Sequence, residues 1–291
     1  MLRTLTIAVI ALLAAATARA QAPPLADSGR LLGTAGVANI EGAGGGGLAT
    51  WATIAGYGTR DAIGGTAHYT FVNLPGYQLH SFGASIGLFN RVELSYARQV
   101  FDTGATGRIL GIGAGYTFDQ DIAGVKVRLF GDAVYDQDSL IPQLAVGMQY
   151  KINNRGALLR AIGARDDQGA DFYVSATKIL LSESLLLDAT LRFTRANQLG
   201  LLGFGGDRSD AYHPEFEGSA AYLLNRQVAI GGEYRTKPDN LGFAHESNWY
   251  DLFVAVFLNK HVSATLAYVD LGSIATRKDQ QGVYVSLQLG L

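Results

Sequence analysis

Hydrolysis at a protein surface needs a nucleophile within reach of a base, and histidine is the first base to seek. The chain has five, His68, His80, His213, His245 and His261. His80 is followed by Ser81, and Asp210 lies three residues before His213. These four residues are the candidates for a Ser/His or Asp/His set, and no recognisable motif joins them. No H-x-x-x-H spacing offers two metal ligands on one helix face. Cysteine is absent, which excludes thiol nucleophiles, thiolate metal sites and disulfides. Residues 203–208 read GFGGDR. A phosphate cradle would need a strand before this run and a helix after it. The flanks supply neither, so the run is expected to be a tight external loop, a constriction or plug role being the lesser alternative. The sequence therefore predicts no catalytic residues, no metal and no cofactor.

The elements that would hold such residues are strands. Of 291 residues 48 % are hydrophobic and only 16 % charged, against about 25 % in an average soluble domain. Glycine numbers 37 and tyrosine 14, and the net charge is -2. A nucleic-acid partner is excluded, because no basic footprint exists. Residues 1–20 read as an export signal: Arg3, an apolar run over residues 5–16, then Ala18-Arg19-Ala20 as cleavage site. The run is too short to cross ~30 Å of hydrocarbon. Residues 21–29 are expected to form a short periplasmic arm, and 30–291 a single domain.

That domain alternates with period 2. Phe82, Ala84, Ile86 and Leu88 share one face, and Ser81, Gly83, Ser85 and Gly87 the other. Leu185, Leu187, Ala189, Leu191 and Phe193 oppose Asp188, Thr190 and Arg192 in the same way. A soluble sandwich would bury the apolar face; a transmembrane barrel turns it to lipid. Runs of about ten residues fit a tilted spanning strand. Tyr57, Tyr69, Tyr96, Tyr150, Tyr222, Tyr234 and Tyr268 recur near run ends, as in interfacial girdles. The fold class expected is all-β, an up-and-down antiparallel transmembrane barrel.

Short links at 59–62, 89–91, 136–139, 181–184, 224–226 and 258–260 alternate with longer ones at 73–76, 102–119, 153–169, 196–213, 236–247 and 272–280. Short links are periplasmic and long ones external. Residues 48–58 then read as an inward strand, 30–41 as an outward one, and the glycine-rich 42–47 as an external loop. The total is about fourteen strands. Twelve, or thirteen with a plug segment, are the alternative counts.

Several stretches are specific: Gly56-Tyr57-Gly58-Thr59-Arg60-Asp61, VELSYARQ at 92–99, KVRLFGDAVYDQD at 126–138, DFYVSATK at 171–178, RANQLGLLGFGGDR at 195–208, EYRTKPDNLG at 233–242 and NKHVSATLAYVDLG at 259–272. Together they resemble a proteobacterial outer-membrane family catalogued as domain of unknown function 3034. The resemblance spans nearly all of the mature chain and implies an outer-membrane barrel. It implies no substrate and no catalytic residue. Outer-membrane barrels usually end in an aromatic residue read by the assembly machinery, an expected partner; here Leu291 stands last.

Strand phase points Glu93, Lys126, Arg128, Asp132, Asp171, Arg192, Glu217, Glu233, Arg235 and Asp251 into the lumen. Such mixed charge forms either a paired network that fills the interior or a weakly selective pore lining. Arg98 and Arg195 fall in the lipid-facing phase at external strand ends, where charge is tolerated. Arginine there suits lipopolysaccharide phosphates, which with outer-membrane lipids are the expected partners. The expected function is a passive channel or transporter for a small or amphipathic solute. The alternatives are a closed structural barrel and, more remotely, a rim-sited lipid hydrolase. No oligomeric state is implied.

Overall fold

The computed structural model describes Ala26, residues 28–35 and residues 37–291. The expected signal peptide, residues 1–20, and most of the arm at 21–29 lie outside the described residues.

Twelve antiparallel strands close into a barrel. They follow two two-residue strands, β1 (Val37–Ala38) and β2 (Gly44–Gly45), which pair with each other and not with the wall. The wall consists of β3 (Ile63–Asn73), β4 (Gln78–Leu88), β5 (Val92–Asp102), β6 (Thr117–Phe130), β7 (Gln143–Asn153), β8 (Gln168–Leu180), β9 (Leu185–Thr194), β10 (His213–Leu223), β11 (Val228–Arg235), β12 (Trp249–Phe257), β13 (Val262–Asp270) and β14 (Gln281–Gly290). Each strand pairs with its sequence neighbour, and β14 closes on β3 with Val285 opposite Phe71.

Alternation sets the two faces. Outward Leu94, Leu191, Leu252, Leu266 and Leu287 are 43–65 % exposed, an arrangement that suits lipid and not water. Tyr69, Tyr96, Tyr150, Tyr222, Tyr234 and Tyr268 also face outward and are exposed. Tyr57 is the exception to the expected girdle, being buried inside the barrel.

The count is twelve because residues 30–58 do not join the wall. Neither 30–41 nor 48–58 is a spanning strand, and 42–47 is no external loop. Residues 38–58 lie buried in the lumen, whereas Leu31 near the start of the segment is exposed. Its sequence lacks the apolar face a wall strand must show to lipid, and glycines let its backbone approach the wall. Gly42, at φ +88°, turns the chain where a side chain would collide with Ala97. A Cβ on wall residue Gly87 would run into Ile54 and Ala55. One turn also differs: β6 runs to Phe130 through a bulge after Arg128, so the periplasmic link spans 131–142, not 136–139.

Candidate functional site: a plugged lumen

The wall grips the backbone of the plug, residues 30–58, through side chains. Glu93 accepts the N–H groups of Gly44 (2.9 Å) and Ala55 (2.8 Å), joining both arms of the plug hairpin. Its partner Lys126, at 3.0 Å, donates to the carbonyls of Gly44 and Thr53, each at 2.8 Å. Glu233 accepts Gly47 N–H (2.7 Å) and Leu48 N–H (2.6 Å). Glu217 accepts Thr50 N–H at 2.8 Å, and the Thr177 hydroxyl accepts Ala52 N–H at 2.7 Å. Ser81 and Gln99 both donate to Ile40 C=O at 2.7 Å. On the far side of the closure seam, the Gln288 amide pairs with both N–H and C=O of Ala38. An irregular segment needs partners for its buried backbone groups; the wall supplies these, and the plug's own backbone supplies others, such as Ile40 N–H to Gly47 C=O.

Above these sockets lies a six-charge cluster. Five neighbouring strands give one member each: Lys151 of β7, Asp171 of β8, Arg192 of β9, Glu217 of β10 and Arg235 of β11. The plug adds Glu41. All six side chains are at most 2 % exposed. Glu41 pairs with Lys151, with Arg235 at 2.7 Å and with Arg192 at 3.7 Å. Asp171 lies 2.6 Å from Lys151 and 3.5 Å from Arg192. Glu217 pairs with Arg192 and, at 3.4 Å, with Arg235. Three carboxylates thus balance three cations. Arg192 further donates to Gln149 and to the Thr50 hydroxyl, each at 2.8 Å, and stacks over Tyr173.

The other expected lumen residues lie lower or aside. Asp251 accepts Glu233 N–H at 3.0 Å. Arg128 and Asp132 pair at 3.0 Å at the periplasmic end. Burial pushes the Asp132 carboxyl up, but the N–H groups of Tyr135 (2.8 Å) and Val134 (2.9 Å), with Arg128, outweigh it and hold the group below its ordinary value. Arg98 is bound by Asp119 (3.1 Å) and Asp121 (3.0 Å), and Arg195 by Asp166 (2.7 Å) and Asp210 (2.5 Å). A phosphate at either arginine would compete with two carboxylates.

The histidine candidates do not converge. His80 points outward to the Tyr69 hydroxyl, whereas Ser81 faces the plug. Asp210 is engaged by Arg195, and His213 meets Ser209 at 3.0 Å. Among the described residues no carboxylate hydrogen-bonds His213 and no group of three metal-ligating side chains occurs.

The external mouth is capped by the 195–212 loop, which folds inward. Asn197, Leu199, Leu201, Leu202 and Phe204 are all buried. Gln198 and Leu199 adopt left-handed backbone angles, φ 45° and 60°. Such geometry persists only where the surroundings enforce it. Here Glu246 accepts Gln198 N–H (2.9 Å), while Gln120 and Lys151 donate to Leu199 C=O (each 3.1 Å). Lys237 lies 2.8 Å from Glu246 and 4.3 Å from the centre of the Trp249 ring. Burial lowers the Lys237 ammonium and raises the Glu246 carboxyl from their ordinary values, against their mutual attraction.

Below the cap the lumen has two characters. The β5–β11 side carries most of the charges, with Asp251 of β12 at its border. The β12–β14 side and β3 carry Trp249, Phe253, Ala267, Val269, Tyr284 and Val72, all turned inward. A cavity of about 30 Å³ between plug and wall is lined by Trp51, Phe253, Phe257 and Tyr284 among others.

Phase reasoning missed Lys151, although it continues the inward series Gln143, Gly147, Gln149. It missed Glu41 because that residue ended a segment read as a wall strand.

A closed antiparallel cylinder with an apolar outer belt, short turns at one end and long loops at the other defines an outer-membrane β-barrel protein. Within that class the chain belongs to the family described as Protein of unknown function (DUF3034), which matches residues 34–288 and so takes in most of the plug. No curated protein matches the chain. Among solved structures it is similar to the KdgM porin, with 9 % identity, TM-score 0.50, and 77 % of this chain and 98 % of that one covered. The NanC porin gives 11 %, 0.48, and 78 % and 98 %. Outer membrane phospholipase A from Escherichia coli gives 10 %, 0.43, and 81 % and 94 %. The likeness to the KdgM porin is one of fold.

Proposed function

We propose that the protein is a gated outer-membrane conduit for a small amphipathic solute, closed at rest by residues 30–58. The carrying observation is what fills the lumen. Eight-stranded barrels fill themselves with their own side chains. This wider barrel is filled by a separate, glycine-rich segment, held mainly by hydrogen bonds that water can replace. The charged and apolar sides of the lumen suit a solute with both characters. Export through a cleaved signal at Ala20 belongs to the same proposal.

A closed structural barrel is the second reading, and the balanced six-charge cluster favours it. Conductance across planar bilayers separates the two. The full chain should be mostly silent. The double variant Glu93→Gln/Glu233→Gln, which weakens two sockets, should show discrete openings. A disulfide between Ala52→Cys and Thr177→Cys, clean because the chain has no cysteine, should silence that variant until reduced. Silence of the folded double variant would leave the structural barrel.

A further inference from the structure

The external cap contains a cavity of about 100 Å³ that neither the plug nor the charge cluster touches. Tyr77, Phe101, Phe118, Leu158, Ile162 and Leu202 form most of its wall. The Tyr77 and Phe101 rings stack with centroids 5.0 Å apart, and Phe118 lies tilted 6.3 Å from Phe101. Among the described residues only two polar side chains reach the wall, and both are engaged. The Thr103 hydroxyl donates to Tyr116 C=O (2.8 Å), and the Tyr77 hydroxyl to Ile274 C=O (3.1 Å). A second void of about 20 Å³ continues beneath it toward Trp249, sharing Phe101 and Leu202 as its roof. Phe243, 38 % exposed, stands at the outer edge, with Ile109, 74 % exposed, on a neighbouring loop.

A tightly packed cap would gain by closing such a space, because lining atoms without partners lose dispersion contacts. Water gains little there, since a buried water needs two to four polar partners. An apolar cavity of roughly 150 Å³ lined by Leu, Ile and Phe stays dry and holds benzene. The present cavity is lined mainly by the same residue types, with Tyr77, Thr103 and Ala275 added, at a somewhat smaller size.

We infer that this cavity is a binding site, on the external face, for a compact uncharged apolar molecule: a single aromatic ring or the end of a short alkyl chain. Aromatic edges and faces on its wall favour the ring. A carboxylate on the ligand is rejected, because burying it beside no free donor costs far more than the ring gains. As the first station of a solute path the site rests on the conduit reading; as a binding site it stands by itself.

The test is ¹⁹F NMR of fluorobenzene with the full chain in lipid nanodiscs, against empty nanodiscs. A protein-dependent bound signal is expected. Ile162→Trp, which fills the cavity, should weaken binding by about tenfold or more. Phe243→Ala, which removes one lining ring at the opening, should speed exchange. 4-Fluorobenzoate should give no bound signal. Folding of each variant is checked by heat-modifiable mobility, and Phe243→Ala reports even where Ile162→Trp fails to fold. Absence of a protein-dependent signal, an unchanged signal in folded Ile162→Trp, or equal binding of 4-fluorobenzoate would overturn the inference. Fluorobenzene bound while the socket variants stay silent would remove the conduit reading and keep the site. Conducting socket variants without binding would do the reverse.

Discussion

Glu41 and Arg235 lie 2.7 Å apart inside the barrel although 194 residues separate them, and neither side chain is more than 2 % exposed. One belongs to the plug and the other to β11. Their contact makes the interior a single electrostatic unit, in which removing one charge strands others.

Glu41→Gln should therefore be severe. It leaves Lys151, Arg192 and Arg235 facing only Asp171 and Glu217. Breaking a buried pair typically costs about 3–5 kcal/mol. The expected outcome is an intact wall with a loosened plug. Hydrogen exchange should rise over residues 37–53 far more than over outward-facing strand positions, and urea unfolding should shift to lower concentration.

Gly46→Ala and Gly47→Ala should differ sharply. A Cβ on Gly46 would overlap the Glu233 carboxylate, whereas one on Gly47 would come no nearer than 3.3 Å to it. Overpacking of the first kind costs about 1–3 kcal/mol. Emission from Trp51, whose indole donates to Ser219 beside Glu233, should shift in the Gly46 variant and stay put in the Gly47 variant.

The periplasmic link should weaken in acid. Asp132 holds a depressed carboxyl value, so its contribution is present above the unfolded value near 3.9 and is lost as pH falls through the folded value. Limited proteolysis of residues 131–142 should accelerate below about pH 4 in the parent chain. Asp132→Asn should be cut faster at neutral pH and respond less to acid.

Leu266 occupies the middle of β13 on the lipid side and is 58 % exposed. Leu266→Arg should cost about 2–4 kcal/mol of folding free energy in bilayers, and Tyr268→Arg, nearer the external interface, about 0–1 kcal/mol. Urea titration in lipid vesicles measures both. Equal costs would contradict the assigned membrane belt.

Wall strands are legible because lipid on one side and lumen on the other force a period of 2, which 281–290 and 185–194 display openly. Most turn lengths are legible for a similar reason, since external loops are the freer to grow; the periplasmic link 131–142 departs from that rule. Residues 30–58 escape that logic. From 38 onward they are surrounded by protein and need no apolar face, and their identity lies in backbone groups offered to Glu93, Glu217 and Glu233. Such sockets leave no spacing to read. The cap is half legible: the glycines of 203–208 mark a tight loop, whereas its inward fold and the burial of Leu199 and Leu202 depend on loops distant in sequence.

Gln288 holds Ala38 across 250 residues, and β14, which carries Gln288, is the strand that seals the cylinder against β3. One side chain on the closing strand therefore couples the seam to the plug: parting β14 from β3 would release Ala38 as well, so the integrity of the wall and the seating of its contents are a single property.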